Sequence, residues 1–298
     1  MKEISDLLKK NDIRAHSYKK NGSVIIADTN IGKVVLKRNK NKDYIYKYLI
    51  DRNFNYFPEI LDKDDYIVSR YIEDIDIPKE QKILNLIDLV SLLHIKTTHY
   101  KNDVEDDYKK IYEDLSNNYE YLYEYYNDLI SLIDDKVFMS PSEYLLARNI
   151  NAIFSSINIG KRYLENWQKE INGLKKMRLS VVHNNLKLNH YIRNSHDYLI
   201  SWDKSKIDIP VFDLYNLYNN HFEDFDFTEL LKKYEHVYPL KKYELDLFFI
   251  LITMPSIIEF NDTEFNMCNK ISKEIDKLYK SNALIEEYIK ERKKVGEK

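Results

Sequence analysis

The sequence is poor in the residues that usually announce a special class of protein. It has a single cysteine, Cys268, so neither an internal disulfide nor a thiolate metal site can form within the chain. Glycine and proline number only 5 and 6, and no internal repeat or low-complexity linker interrupts the chain. No apolar run is long enough to span a bilayer. The most apolar stretch, "LDLFFILITMPSII" (Leu245–Ile258), is short and broken by Pro255, and reads as a buried helix. The first twenty residues carry charges throughout and no apolar core, so no signal peptide is read there and the expected location is the cytoplasm. Positive charge is not in excess either. The net charge of −3 gives no footprint for nucleic acid, and no membrane-binding segment stands out.

What is present suits a folded domain of substantial size. Apolar residues make up 44% of the 298, enough for a large core. Charge is unevenly spread: residues 1–70 sum to +5 and the remainder to −8. The 26 tyrosines, accompanied by many Lys, Asn and Ile, read as compositional drift rather than as a signal.

Gly22–Thr29 and Gly32–Arg38 are rich in Val and Ile and meet at Asn30-Ile31-Gly32, a hairpin signal. Asn39–Asn53 reads as a helix with Tyr44, Ile45, Tyr48 and Leu49 on one stripe, and Asp65–Asp74 as a further strand. From Glu80 the pattern is helical. Apolar residues from Tyr108 to Leu129 advance by threes and fours over about six turns. Ser140-Pro141 opens another helix. A short strand-like stretch with polar residues, "LSVVHNN…HYI…DYLISWD", follows, and helices complete the chain from Asp213. The fold class expected is α+β, with a small β-rich lobe over residues 1–73 and a large, mainly helical lobe over 74–298.

The polar stretch carries the chemistry. His183-Asn184-Asn185-Leu186-Lys187-Leu188-Asn189-His190 follows the outline H-G-D-L-x-x-x-N, and Leu199-Ile200-Ser201-Trp202-Asp203 the outline apolar-apolar-D-[WF]-[DE]. Ile209-Pro210-Val211-Phe212-Asp213-Leu214 adds P-x-x-D-L. In this order and spacing, the chain resembles the aminoglycoside phosphotransferase and choline kinase superfamily, and within it the spore-coat (CotS-type) kinase-like proteins. The resemblance implies a bilobal protein-kinase-like fold and an ancestral ATP-dependent phosphoryl transfer.

It also implies roles, residue by residue. Asn185 occupies the position of the catalytic Asp, while His190 and Ser201 occupy those of the two metal ligands. His183 would tie the catalytic loop to the core and Asp213 would support its backbone. Lys37, in "KVVLK", falls at the phosphate-binding lysine, with Asp43 as the early acidic candidate on the next helix. Ser69, Tyr71 and Ile72 fall at the hinge that would hold an adenine.

Three positions that need carboxylate or amide oxygens thus hold an amide, an imidazole and a hydroxyl. An amide is no base, and losing a general base costs about 10²- to 10⁴-fold. Mg²⁺ wants hard oxygen ligands, whereas imidazole suits transition metals. Asp203 is a substitute ligand only across the roughly 6–7 Å that separates alternate residues of a strand. ATP therefore remains an open cofactor and Mg²⁺ an unexpected one. Three readings stand: a pseudokinase that binds a small molecule or a partner protein, an active phosphotransferase with displaced ligands, and a structural coat or assembly protein.

Overall fold

The computed structural model describes residues 2–39, 43–63 and 65–296, without the side chains of residues 2, 43 and 291–296. The chain opens with α1 (Lys2–Lys10), β1 (Ala15–Asn21), β2 (Val24–Thr29), β3 (Gly32–Arg38), α2 (Asp43–Asp51), β4 (Ile60–Lys63) and β5 (Tyr66–Arg70). α3 (Lys79–Thr97), β6 (His99–Asn102), α4 (Glu105–Asp134) and α5 (Pro141–Ile171) follow. Next come β7 (Lys176–Val182) and the short strands β8 (Tyr191–Arg193), β9 (Asp197–Leu199) and β10 (Lys206–Asp208). The chain continues through α6 (Val211–His221), α7 (Phe227–Val237), α8 (Lys242–Thr253) and α9 (Glu264–Gly296). Two compact units result, 1–98 with 180–208 and 99–179 with 209–298. They are cut differently from lobes divided in chain order after residue 73, because α3 and the polar segment 180–208 group with the small sheet.

The first unit is built on an antiparallel five-stranded sheet in the order β1-β2-β3-β5-β4. Two two-residue turns set its register, pairing Asn21 with Val24 and Thr29 with Gly32. Gly22 and Gly32 take φ of 56° and 101°, conformations that a side chain would strain. Strand alternation then sorts the side chains. Val34 and Leu36 of β3, Ala27 of β2 and Val68 of β5 pack against Ile4 and Leu8 of α1, all nearly or fully buried. Val35 and Lys37 face the other way. Opposite them in the ladders stand Val24 and Ile26 of β2 and Ile67 and Ser69 of β5. On α2 the buried residues are Ile45, Tyr46 and Leu49, and Tyr44 is 52% exposed. The expected stripe was thus displaced at one position, because Tyr46 packs edge-on to Phe57. The edge strand β4 follows Pro58 and pairs with β5, although periodicity alone gave no sign of it.

The second unit is helical, and no helix among the described residues is long and apolar enough to cross a membrane. α5 begins where Ser140-Pro141 predicts. The Ser140 hydroxyl accepts from the Glu143 N–H, and the Glu143 carboxylate accepts in return from the Ser140 N–H at 2.8 Å. α8 is buried along its length from Tyr243 to Thr253. It stops there rather than running to Ile258, since Pro255 cannot continue a helix and Ile257 is exposed.

Tyr119 of α4 reaches α8, where its hydroxyl donates to the Ile250 carbonyl at 2.6 Å. The hydroxyl end of that ring abuts Gly160 of α5: a Cβ there would sit 2.0 Å from the Tyr119 Oη. Gly160→Ala therefore forces the ring from its hydrogen bond, and the cost of overpacking, about 1–3 kcal/mol, outweighs the helix propensity gained. Urea denaturation checks it; unchanged stability would mean that α4 and α5 separate freely.

Candidate functional site

The face of the sheet opposite α1 forms one wall of a cavity of about 310 Å³ within the first unit. Val24, Ile26, Val35 and Ile67 supply its apolar surface, and Lys37 comes from the same alternation. Tyr46 and Pro58 add to the sheet side, and Ile192, Ile200 and Trp202 make the opposite wall. Ser69, Arg70, Tyr71 and Ile72 line the edge where β5 leaves the sheet. The sequence placed Lys37, Ser69, Tyr71 and Ile72 together, and they share this cavity. The Tyr71 N–H is already committed, donating to the Lys33 carbonyl at 3.0 Å.

Just past Ile72, the chain is fastened to the β8–β9 turn. Ile75 donates to the Arg193 carbonyl at 2.7 Å, Arg193 N–H to the Asp74 carboxylate at 2.8 Å, and the Asn194 amide to the Glu73 carbonyl at 2.6 Å. Asp74 also pairs with Lys82 of α3 at 2.6 Å. These bonds fix one border of the cavity.

Ser201 and Asp203 both reach the cavity, by a route that strand alternation does not give. β9 ends at Leu199. Ser201 has left-handed backbone, φ 68° and ψ 47°, and Trp202–Lys204 form a single tight turn. Trp202 pins that turn. Its indole N–H donates to the Leu199 carbonyl at 2.8 Å, and the Ser205 hydroxyl donates to the Trp202 carbonyl at 2.5 Å. The turn swings the Asp203 carboxylate onto Lys37, with Nζ 2.5 Å from Oδ1. The expectation that Asp203 stands one strand repeat from Ser201 is therefore corrected. The pairing was also missed in the sequence, where Asp43 was the candidate; the side chain of Asp43 lies outside the described residues. Ion pairing across 166 positions leaves no local signal.

The loop before β8 holds the other predicted residues. His183, fully buried, donates from Nε2 to the Ile200 carbonyl at 2.8 Å and stacks edge-on to Trp202 at 4.9 Å. It thus holds the chain one residue before Ser201. Asn184 is left-handed at φ 56°, a conformation asparagine tolerates. The Asn185 carbonyl accepts from His190 Nδ1 at 2.7 Å. A carbonyl can only accept, so Nδ1 carries the proton and Nε2 presents its lone pair. Burial pulls the His190 ring below its ordinary pKa, and the Lys187 and Lys37 charges add to that, so the ring is neutral near pH 7. The Asn185 side-chain amide makes no hydrogen bond among the described residues. Neither Asn185 nor His190 lines the cavity wall. Asp213 lies in the second unit, fully buried in the first turn of α6.

This donor set does not fit a hard divalent cation. Among the described residues Asp203 is the one carboxylate lining the cavity, and its charge is matched by Lys37. Ser201 contributes a neutral hydroxyl, and His190, which does not line the wall, would offer only nitrogen. Among the described residues no group of three or more His, Cys, Asp or Glu is placed to hold a metal ion.

No protein-family model matches the chain, and no curated protein does. Solved structures do. An aminoglycoside phosphotransferase from Alicyclobacillus acidocaldarius superposes with a TM-score of 0.70 at 11% identity, covering 92% of each chain. The fold is that of the aminoglycoside phosphotransferases. Spectinomycin phosphotransferase APH(9)-Ia, in its AMP-bound complex, gives a TM-score of 0.55 at 12% identity over 97% of this chain and 94% of its own. Choline kinase LicA from Streptococcus pneumoniae gives 0.51 at 16% identity, over 92% and 98%. The kinase-like fold expected from the motif order is thereby established.

Proposed function

We propose that this protein is a pseudokinase: it binds an adenine nucleotide such as ATP in the sheet-side cavity without Mg²⁺, and acts through binding rather than phosphoryl transfer. The observation that carries this reading is the Lys37–Asp203 pair, which keeps the lysine in an open cavity while occupying the one carboxylate that lines it among the described residues. Phosphoryl transfer needs metal ions to neutralise the phosphates and a residue to orient the acceptor. An amide, an imidazole and a hydroxyl stand where those groups belong. The apolar slab between Ile26, Val35 and Ile200 suits a flat heteroaromatic ring, and Lys37 can turn from Asp203 to a phosphate. The fold likeness to a phosphotransferase crystallised with AMP supports the same cavity as the nucleotide site. In a spore-coat setting, the partner of such a binding protein would be another coat component.

Asp203 also favours a second reading, an active phosphotransferase with this carboxylate as displaced metal ligand, because the tight turn delivers it into the cavity. A purely structural role with a collapsed cleft is disfavoured by the open volume of about 310 Å³. Fluorescence separates the two binding readings, since Trp202 lines the cavity and the other tryptophan, Trp167, is fully buried in the second unit. ATP in the presence of EDTA should change the Trp202 emission saturably, and Asp203→Asn, by freeing Lys37, should preserve or strengthen the effect. A change that requires Mg²⁺ and disappears in Asp203→Asn would establish the displaced-ligand enzyme instead.

A further inference from the structure

The second unit has a cleft of its own, of about 530 Å³, between α6, the segment after α8 and one face of α9. Three lysines of α9, Lys270, Lys273 and Lys277, line it at a spacing that puts them on one side of the helix. Lys277 is only 8% exposed. Its ammonium is held by the Glu274 carboxylate at 2.7 Å and donates to the Ser256 hydroxyl at 3.1 Å. Glu274 is anchored in turn by the Ser256 N–H at 2.8 Å. Two of the three ammonium donors are thereby used, and the third has no partner among the described residues.

Lys270 and Lys273 differ from it. Both are more than half exposed and rest on exposed acids, Asp262 at 3.0 Å and Glu223 at 2.5 Å. Such exposed pairs hold weakly against solvent, so either lysine can move to a better anion. The wall facing them combines the Phe222 ring with the Tyr215 hydroxyl and the Asn219 amide, neither of which makes a hydrogen bond among the described residues. Lys273 already lies over the Phe222 ring, 5.5 Å from its centre. The carboxylates of the cleft do not oppose an anion equally. Glu274 is committed to Lys277 and Ser256; Glu259 accepts from the Asn261 amide at 3.0 Å and keeps its charge, so three lysines stand against two carboxylates in the lining.

We infer that this cleft is a second small-molecule site, for an anionic polyol of the sugar-phosphate class. Its phosphate would be held by Lys277 and the two mobile lysines, its hydroxyls by Tyr215 and Asn219, and its C–H face by Phe222. A charged hydrogen bond is worth about 1.5–3 kcal/mol, which corresponds to roughly ten- to a hundredfold in affinity for each lysine lost. The inference does not depend on how the first cavity is read.

The test is a calorimetric titration of the full chain with glucose 6-phosphate, inorganic phosphate and glucose as separate probes. Saturable binding of glucose 6-phosphate, tighter than that of phosphate and absent for glucose, is expected. Lys270→Gln with Lys273→Gln should weaken it at least about tenfold, since both residues are surface groups whose replacement leaves the fold intact. Lys277→Met should abolish it; should that variant fail to fold, the double variant decides. No binding of glucose 6-phosphate, or binding that the double variant leaves unchanged, overturns the inference. Equal binding of phosphate and glucose 6-phosphate overturns the polyol class.

Discussion

Glu244→Gln should lower the free energy of unfolding by about 3–5 kcal/mol, the cost of stranding a buried charge. Arg178, on the part of β7 that pairs with β6, donates from Nε to Glu244 Oε1 at 2.8 Å and from its terminal nitrogen to Oε2. The same terminal nitrogen donates to the Pro239 carbonyl at 2.9 Å, and the guanidinium lies over the Tyr238 ring at 4.2 Å from its centre. Glu244 is fully buried at the start of α8 and closes that helix by accepting from the Lys241 N–H at 2.8 Å. Replacing one partner removes the fork and leaves the other desolvated. Arg178→Met should cost a similar amount. Arg178→Met with Glu244→Gln should cost far less than the two added together, because neither charge then remains. Urea titration of the four proteins measures the coupling. Additive losses would mean that the pair contributes no more than two unrelated contacts.

The second large effect concerns chemistry. Asn185→Asp, His190→Asn and Ser201→Asp together restore the carboxylates and amide that the phosphotransferase outline calls for. The backbone at 201 favours the change: a left-handed residue is better tolerated as Asp than as Ser. At 190 the substitution sacrifices the hydrogen bond to the Asn185 carbonyl. ATP hydrolysis in Mg²⁺ should rise in the triple variant at least about 10²-fold over the parent, the lower end of what a general base contributes. Ser201→Asp alone should confer metal-dependent nucleotide binding without that turnover. If the parent already hydrolyses ATP as fast as the triple variant, the pseudokinase reading fails.

Much of this was legible in the sequence wherever one short-range rule governs. The β2–β3 hairpin follows from Val/Ile segments meeting at a turn, and the start of α5 from a serine cap before proline. Lys37 reaches the cavity because alternation within β3 leaves it no other face. What escaped depends on partners far away in the chain. β4 is too short to carry a period, and β6 exists only because β7 pairs with it. The packing of α1 under the sheet requires knowing which strand face needs cover. Asp203 was misplaced for a different reason. "YLISWD" reads as a continuous strand, yet the buried Trp202 turns the chain at Ser201. That single turn changes a carboxylate expected at a distance into the ion-pair partner of Lys37.

Calorimetric titration of the protein with ATP, once in EDTA and once in excess Mg²⁺, is the most direct test of a nucleotide site that needs no metal. The predicted result is saturable binding with the same dissociation constant in both buffers, weakened in Lys37→Met. Binding that appears only with Mg²⁺ would contradict it and put Asp203 among the metal ligands; no binding in either buffer would contradict it by leaving the cavity without a nucleotide.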